Sequence, residues 1–164
     1  MQQNLVIVES PAKAKTIEKF LGEDFKVMSS YGHIRDLKKT GLSVDLDTFE
    51  PFYEISDDKK KVVADLQKAA KSAERVWLAS DEDREGEAIA YHIAAAIGKK
   101  PESLPRIVFH EITKSAISNA LSSPRKLNIA SVNANTQNIL NQALNVTNEV
   151  NVSNGKIDHI NMKL

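Results

Sequence analysis

Val76-Trp77-Leu78-Ala79-Ser80-Asp81-Glu82-Asp83-Arg84-Glu85-Gly86-Glu87 is the stretch on which the fold turns. Its opening run, Val76 to Ala79, is apolar and has the length of a short buried strand. The run then stops, and five of the seven positions from Asp81 to Glu87 are carboxylates. Downstream, Ile89, Ile93, Ala96 and Ile97 recur at helical spacing, and Gly98 offers a C-terminal stop. The segment therefore reads strand, acidic turn, helix. In open α/β sheets that junction, at the carboxyl end of a strand, is where ligands bind.

Like charges packed so tightly repel one another, and more strongly as water is excluded. A divalent cation is the most compact counter-charge, and an all-oxygen donor set with no cysteine and no nearby histidine points to Mg²⁺. In extended backbone Asp81 and Asp83 share a face, and a helix starting near Arg84 brings Glu85 to the mouth of the turn. Two other readings stand beside the metal site. Acidic residues complement the dipole of any first helical turn, and a receiver-type domain also clusters aspartates at a strand end.

Outward from this stretch, strands and helices alternate. Asn4 to Val8 is a β-branched run suited to a parallel strand. Ser10-Pro11 is a helix start, with Ile17, Phe20 and Leu21 as the apolar face and Gly22 as the close. Phe25 to Ser29 is a second strand, and residues from Leu37 to Ser56 read as an irregular loop. Val62, Val63, Leu66, Ala69 and Ala70 mark a helix capped by Ser56 or Asp57. A strand Arg106-Ile107-Val108-Phe109 follows, and then a helix capped by Thr113 and carrying Ile117, Ala120 and Leu121. The pattern predicts a mainly parallel central sheet with helices on both faces. The end of the chain differs: ten asparagines lie between Asn128 and Leu164. Residues 135–164 are expected to form a separate tail, with a short helix around Ile139 to Leu144 and a hairpin at Asn154-Gly155, or to fray.

Glu9 ends the first strand as Asp81 ends the strand at Ala79, and neighbouring parallel strands finish at one sheet edge. Glu9 is either a solvated loop residue or a second acidic member of one site. Lys13 lies in a first helical turn, where a cation opposes the dipole. A phosphate bound there would resolve the conflict, whereas Lys15 and Lys19 read as a solvated face.

At 164 residues the chain is long enough for a proper core, and 41% hydrophobic with 27% charged residues is ordinary for a soluble domain. Zero formal net charge gives no bulk signature of nucleic-acid binding. The absence of cysteine excludes disulfides and thiolate metal sites. No signal peptide or membrane span is visible, so a cytoplasmic location is expected.

Taken together, the motifs resemble those of bacterial type IA DNA topoisomerases. The resemblance is carried by Leu5 to Thr16, Ser29 to Leu37, Phe49-Glu50-Pro51, Lys59 to Val63, Asp83 to Ala90, Phe109 to Thr113 and Val132-Asn133-Ala134, in the family's order. It implies a Rossmann-like Toprim domain over residues 1–134. By position it implies that Asp81, Asp83 and Glu85 hold Mg²⁺, with Glu9 as a fourth carboxylate near the scissile phosphate. Lys13 is implied to act on the reacting phosphate and Arg84 to support catalysis, while His33 and Arg35 match motif positions that would contact DNA. The implied activity is relaxation of negatively supercoiled DNA by transient single-strand cleavage and religation. The implied partners are a single-stranded segment of DNA and the remaining topoisomerase domains, with no membrane.

The chain departs from the family's pattern in places. Glu82 stands where many relatives have proline. Strand cleavage in the family uses a tyrosine of a later domain, and Tyr31, Tyr53 and Tyr91 lie in no such motif. Beyond Ala134 the family continues into an arginine-bearing helix, whereas here stands Asn135-Thr136-Gln137-Asn138. The chain is thus expected to be inactive alone, as a fragment or a truncated form. A free-standing Toprim nuclease using metal-activated water, or a non-catalytic DNA- or protein-binding module, are the alternatives.

Overall fold

A computed structural model describes residues 3–133 apart from positions 42, 46 and 49, together with Thr136 and Asn141. Three parallel strands make the central sheet: β1 (Asn4–Val8), β2 (Phe25–Ser29) and β5 (Arg75–Ala79). Their order is β2-β1-β5, with Val8 level with Ser29 on one side and with Ala79 on the other. The chain leaves β1 in one direction to form β2 and returns on the opposite side of β1 to form β5. Strand order therefore reverses at β1, and the crevice between the carboxyl ends of β1 and β5 is the sheet's switch point.

Alternation along the strands splits the core into two layers. Leu5, Ile7, Val76 and Leu78 face α2 (Lys60–Ser72) and α3 (Arg84–Ala96) through Val63, Leu66, Ile89 and Ile93. Val6, Val8, Val27, Trp77 and Ala79 face α1 (Pro11–Glu18) and α4 (Lys114–Ser122) through Ile17, Ile117 and Ala120. β1 and β5 are buried on both faces, as their apolar runs predict, while the edge strand β2 is only partly buried; the expected α/β architecture with helices on both faces is observed.

Several local expectations change. α1 begins as its Ser10-Pro11 start predicts, with Ser10 Oγ accepting from Lys13 N at 3.2 Å, but it ends at Glu18, before Gly22. Phe20 and Leu21 pack on the core from beyond the helix. The stretch read as a loop from Leu37 to Ser56 is framed by two short strands, β3 (Arg35–Leu37) and β4 (Tyr53–Ile55), paired antiparallel. Their side chains are half-buried or exposed, so no apolar run announces them. A 3₁₀ turn, Asp57–Lys59, precedes α2, and neither Ser56 nor Asp57 supplies the expected side-chain cap to that helix. The expected strand from Arg106 to Phe109 reduces to bridges made by Arg106 alone, to Leu78 on one side and Arg125 on the other. Arg106 is wholly buried and Ile107 is buried beside it in the layer facing α1 and α4, so the segment is held by its charge and its apolar side chain without a ladder of its own.

Of the expected tail helix at Ile139 to Leu144 only Asn141 is described, and the hairpin at Asn154-Gly155 and the boundary at 134–135 lie outside the described residues. Among the described residues, no helix is long and apolar enough to cross a membrane.

Candidate active site at the carboxyl edge of the sheet

Glu9, Asp81, Asp83 and Glu85 line one cavity of about 440 Å³ at the switch point, together with Ser10, Tyr31 and His33. β1 delivers Glu9 and β5 delivers Asp81, and Lys13 joins the two. Its ammonium donates to Glu9 Oε1 and, at 2.6 Å, to Asp81 Oδ1. The dipole conflict read in the sequence is thus answered by two carboxylates of the chain itself. Burial pulls the Lys13 ammonium down, but the hydrogen bonds to Asp81 and Glu9 outweigh it and leave its pKa above the ordinary lysine value. The same Lys13 bond holds Asp81 below the ordinary aspartate range, against the upward pull of desolvation. Both groups are therefore charged at neutral pH.

Asp83 serves as the N-cap of α3, accepting from Gly86 N at 2.7 Å. Glu85 Oε1 lies 3.0 Å from His33 Nε2. Each of the four carboxylates thus has a local partner, and among the described residues no three acidic or imidazole side chains are gathered closely enough to hold an ion. Repulsion between the carboxylates favours this spread arrangement. The donor set itself is all oxygen and converges on one cavity, which suits a hard cation such as Mg²⁺. Arg84 is the first residue of α3 and is exposed. Arg35 stays out of the acidic cavity: its guanidinium lies 5.2 Å from the centre of the Tyr53 ring, and it lines an adjoining cavity of about 320 Å³, whereas His33 borders both.

Residues 4–112 match the Toprim domain family. The chain belongs to that family. It is 63% identical over 136 residues to DNA topoisomerase 1 of Campylobacter jejuni, a match covering 82% of this chain and 19% of that protein. It is 52% identical over 134 residues to DNA topoisomerase 1 of Helicobacter pylori, covering 80% and 18%. Among solved structures, full-length topoisomerase I from Thermotoga maritima superposes with a TM-score of 0.73 at 45% identity, covering 80% of this chain and 22% of that one. The chain spans about a fifth of the length of the relatives it matches.

Beneath the acidic turn of this Toprim domain lies a buried ionic network that the sequence reading missed. Arg106 donates from Nε to Glu87 Oε1 at 2.9 Å, from Nη1 to the Ser80 carbonyl at 2.9 Å and from Nη2 to the Asp81 carbonyl at 2.5 Å. Glu87 also accepts from Arg125 Nη2 at 2.6 Å and from Asn128 N at 2.8 Å. Burial pulls the Arg106 guanidinium below its ordinary value, and the Glu87 hydrogen bond opposes that pull. The network pins the backbone from which Asp81 projects. Its one sequence signal is an arginine heading an apolar run, since a charge buried with a strand needs a partner.

His92 of α3 is a second buried polar residue of the domain. It packs edge-on against Tyr53 and Tyr91, with ring centroids 4.5 and 5.4 Å away. Desolvation, reinforced by the charges of Arg35 and His33, pushes its pKa from 6.5 down to about 4. Below pH 6.5 the unfolded chain takes up a proton that the folded chain refuses until about pH 4. The unfolded state then binds more protons, so stability falls as pH drops through that window. Between pH 8 and pH 5 this group is expected to remove about 2 kcal/mol. Urea unfolding of the wild type and His92→Phe at both pH values checks it. The variant should lose that share of the pH dependence, and an equal drop in both proteins contradicts the assignment.

Proposed function

We propose that this chain supplies the metal-binding part of a type IA topoisomerase active site, which relaxes negatively supercoiled DNA by transient single-strand cleavage and religation. The observation that carries the reading is the convergence of Glu9, Asp81, Asp83 and Glu85 on one switch-point cavity, with Lys13 between the first two. These four carboxylates would hold Mg²⁺, which would supply charge neutralisation and polarisation at a phosphodiester. Lys13 remains an ammonium at neutral pH, so it acts by donating hydrogen bonds to phosphate oxygens and not as a base. His33 orients Glu85 through their 3.0 Å contact, and exposed Arg84 adds positive charge at the start of α3. Arg106 holds the Ser80 and Asp81 carbonyls so that the acidic turn keeps its shape. DNA is the substrate, and the tyrosine nucleophile comes from other topoisomerase domains.

The test uses Mg²⁺ and plasmid DNA. Calorimetric titration should show weak Mg²⁺ binding by the purified chain, and Asp81→Ala should weaken it about tenfold or more. Mg²⁺ should raise the thermal midpoint of the wild type by mass action and leave that of the variant unmoved. Robust relaxation of supercoiled plasmid by this chain alone contradicts the reading. Metal-dependent nicking that Asp81→Ala abolishes, leaving free phosphate ends, replaces it with the nuclease.

A further inference from the structure

Tyr31 combines features that neither folding nor the acidic chemistry requires. It is the only non-glycine residue with positive φ among the described residues, at 57°, and Gly32 follows at 81°. For a bulky side chain that conformation is a strained outlier, retained only where the surroundings impose it. They do so here through several hydrogen bonds. Tyr31 N donates to Ser29 Oγ at 3.0 Å, and the Tyr31 carbonyl accepts from Lys59 Nζ at 2.7 Å. Gly32 N donates to the Glu9 carbonyl at 2.7 Å, and Ser30 Oγ donates to the Gly32 carbonyl at 2.8 Å. The backbone is thus tied directly to the end of β1.

The strained backbone does not bury the ring. Tyr31 is 56% exposed and lines the same cavity as Glu9 and Asp81. The other exposed large hydrophobic residue among those described, Phe52, is not part of that cavity's lining. Apart from Pro11 and Ile89, the side chains lining the cavity with Tyr31 are charged or polar, so they offer no continuous apolar patch for a protein partner. The Tyr31 ring suits a ligand whose flat, neutral face is flanked by charge.

We propose that Tyr31 is a stacking platform for a nucleobase of a single DNA strand whose phosphate lies at the acidic cavity. This rests on the nucleic-acid reading above. Stacking on one exposed ring tolerates any base and requires that the base be unpaired. The rigid αL hinge fixes the ring relative to Glu9, so a stacked base would set the register of the neighbouring phosphate against Lys13 and Asp81. Tyr31 is in this sense a positioning residue, and its ring rather than its hydroxyl does the positioning.

The full chain, with Mg²⁺, is titrated into a single-stranded oligonucleotide carrying 2-aminopurine. Wild type, Y31F and Y31W should bind with similar affinity and quench the probe. Y31A should bind roughly tenfold more weakly and lose the quench. Y31G should bind as weakly as Y31A yet unfold at a higher temperature than Y31A, because glycine accepts positive φ without strain. That pairing separates loss of stacking from loss of fold. Unchanged affinity and quench in Y31A overturn the stacking role while leaving the nucleic-acid reading intact. Absence of binding by the wild type overturns both.

Discussion

Replacing Gly86 by alanine is expected to lower the thermal midpoint by roughly 10 °C, a loss of about 3 kcal/mol or more. A Cβ at this position would stand 2.0 Å from the Asp81 carbonyl oxygen, 2.7 Å from its carbon and 2.9 Å from Asp81 N. All three are backbone atoms, so no side-chain rotation can make room. Nor can the turn slide aside cheaply. Ser80 Oγ donates to the Gly86 carbonyl at 2.5 Å, and Gly86 N is held by Asp83. Arg106 grips the Ser80 and Asp81 carbonyls from below. Seating a methyl group means prising the start of α3 from the end of β5 and breaking several of these bonds together. The requirement is for space and not for a left-handed backbone, since Gly86 lies in the first turn of a helix. Gly22→Ala is the control: its Cβ would meet nothing within 4 Å, and its midpoint should stay close to that of the wild type. Scanning calorimetry of the two variants decides the matter. A Gly86→Ala midpoint within about 2 °C of the wild type would show that the close approach carries no weight.

Features set by local rules were legible in the sequence. β1 and β5 carry apolar runs ended by polar residues, and Ser10 and Thr113 each cap the helix that follows. The switch point could be inferred from the alternation of strands and helices, and with it the meeting of Glu9 and Asp81. What stayed hidden depends on contacts distant in the chain. Arg106 reaches Glu87 across 19 positions, and Glu87 reaches Asn128 across 41. In sequence, Glu87 is one more carboxylate in an acidic run; only burial sets it apart from its exposed neighbours. β3 and β4 escaped for a similar reason, being short, half-buried strands joined by a long excursion. In α1 alone Lys13 is a cation opposing the helix dipole, and its counter-charges lie at the strand ends beside it. The anions were already present, one of them 68 positions away.

Removing Glu87 should cost more stability than removing either arginine it binds, and the reason lies in what each change leaves behind. Glu87→Ala strands the Arg106 guanidinium, wholly buried, with its counter-charge gone and Asn128 N unpaired. Breaking a buried pair from one side costs about 3–5 kcal/mol. Arg125→Ala removes a side chain 38% exposed and leaves Glu87 bound to Arg106 and Asn128 N. Its cost should be about 1 kcal/mol. Replacing both charges, as in Glu87→Leu with Arg106→Met, should cost clearly less than the sum of the single changes, since apolar residues of similar volume remove the desolvation penalty. Stability and site geometry then separate. The double variant refolds the layer beneath the turn but has no donors for the Ser80 and Asp81 carbonyls, so its Mg²⁺-induced rise in thermal midpoint should not return. Urea unfolding of the wild type, Glu87→Leu, Arg106→Met and the double variant gives the coupling energy directly. Costs that add to within about 0.5 kcal/mol would mean that Glu87 and Arg106 act independently. A double variant that regains the full response to Mg²⁺ would mean that the arginine does not hold the acidic turn.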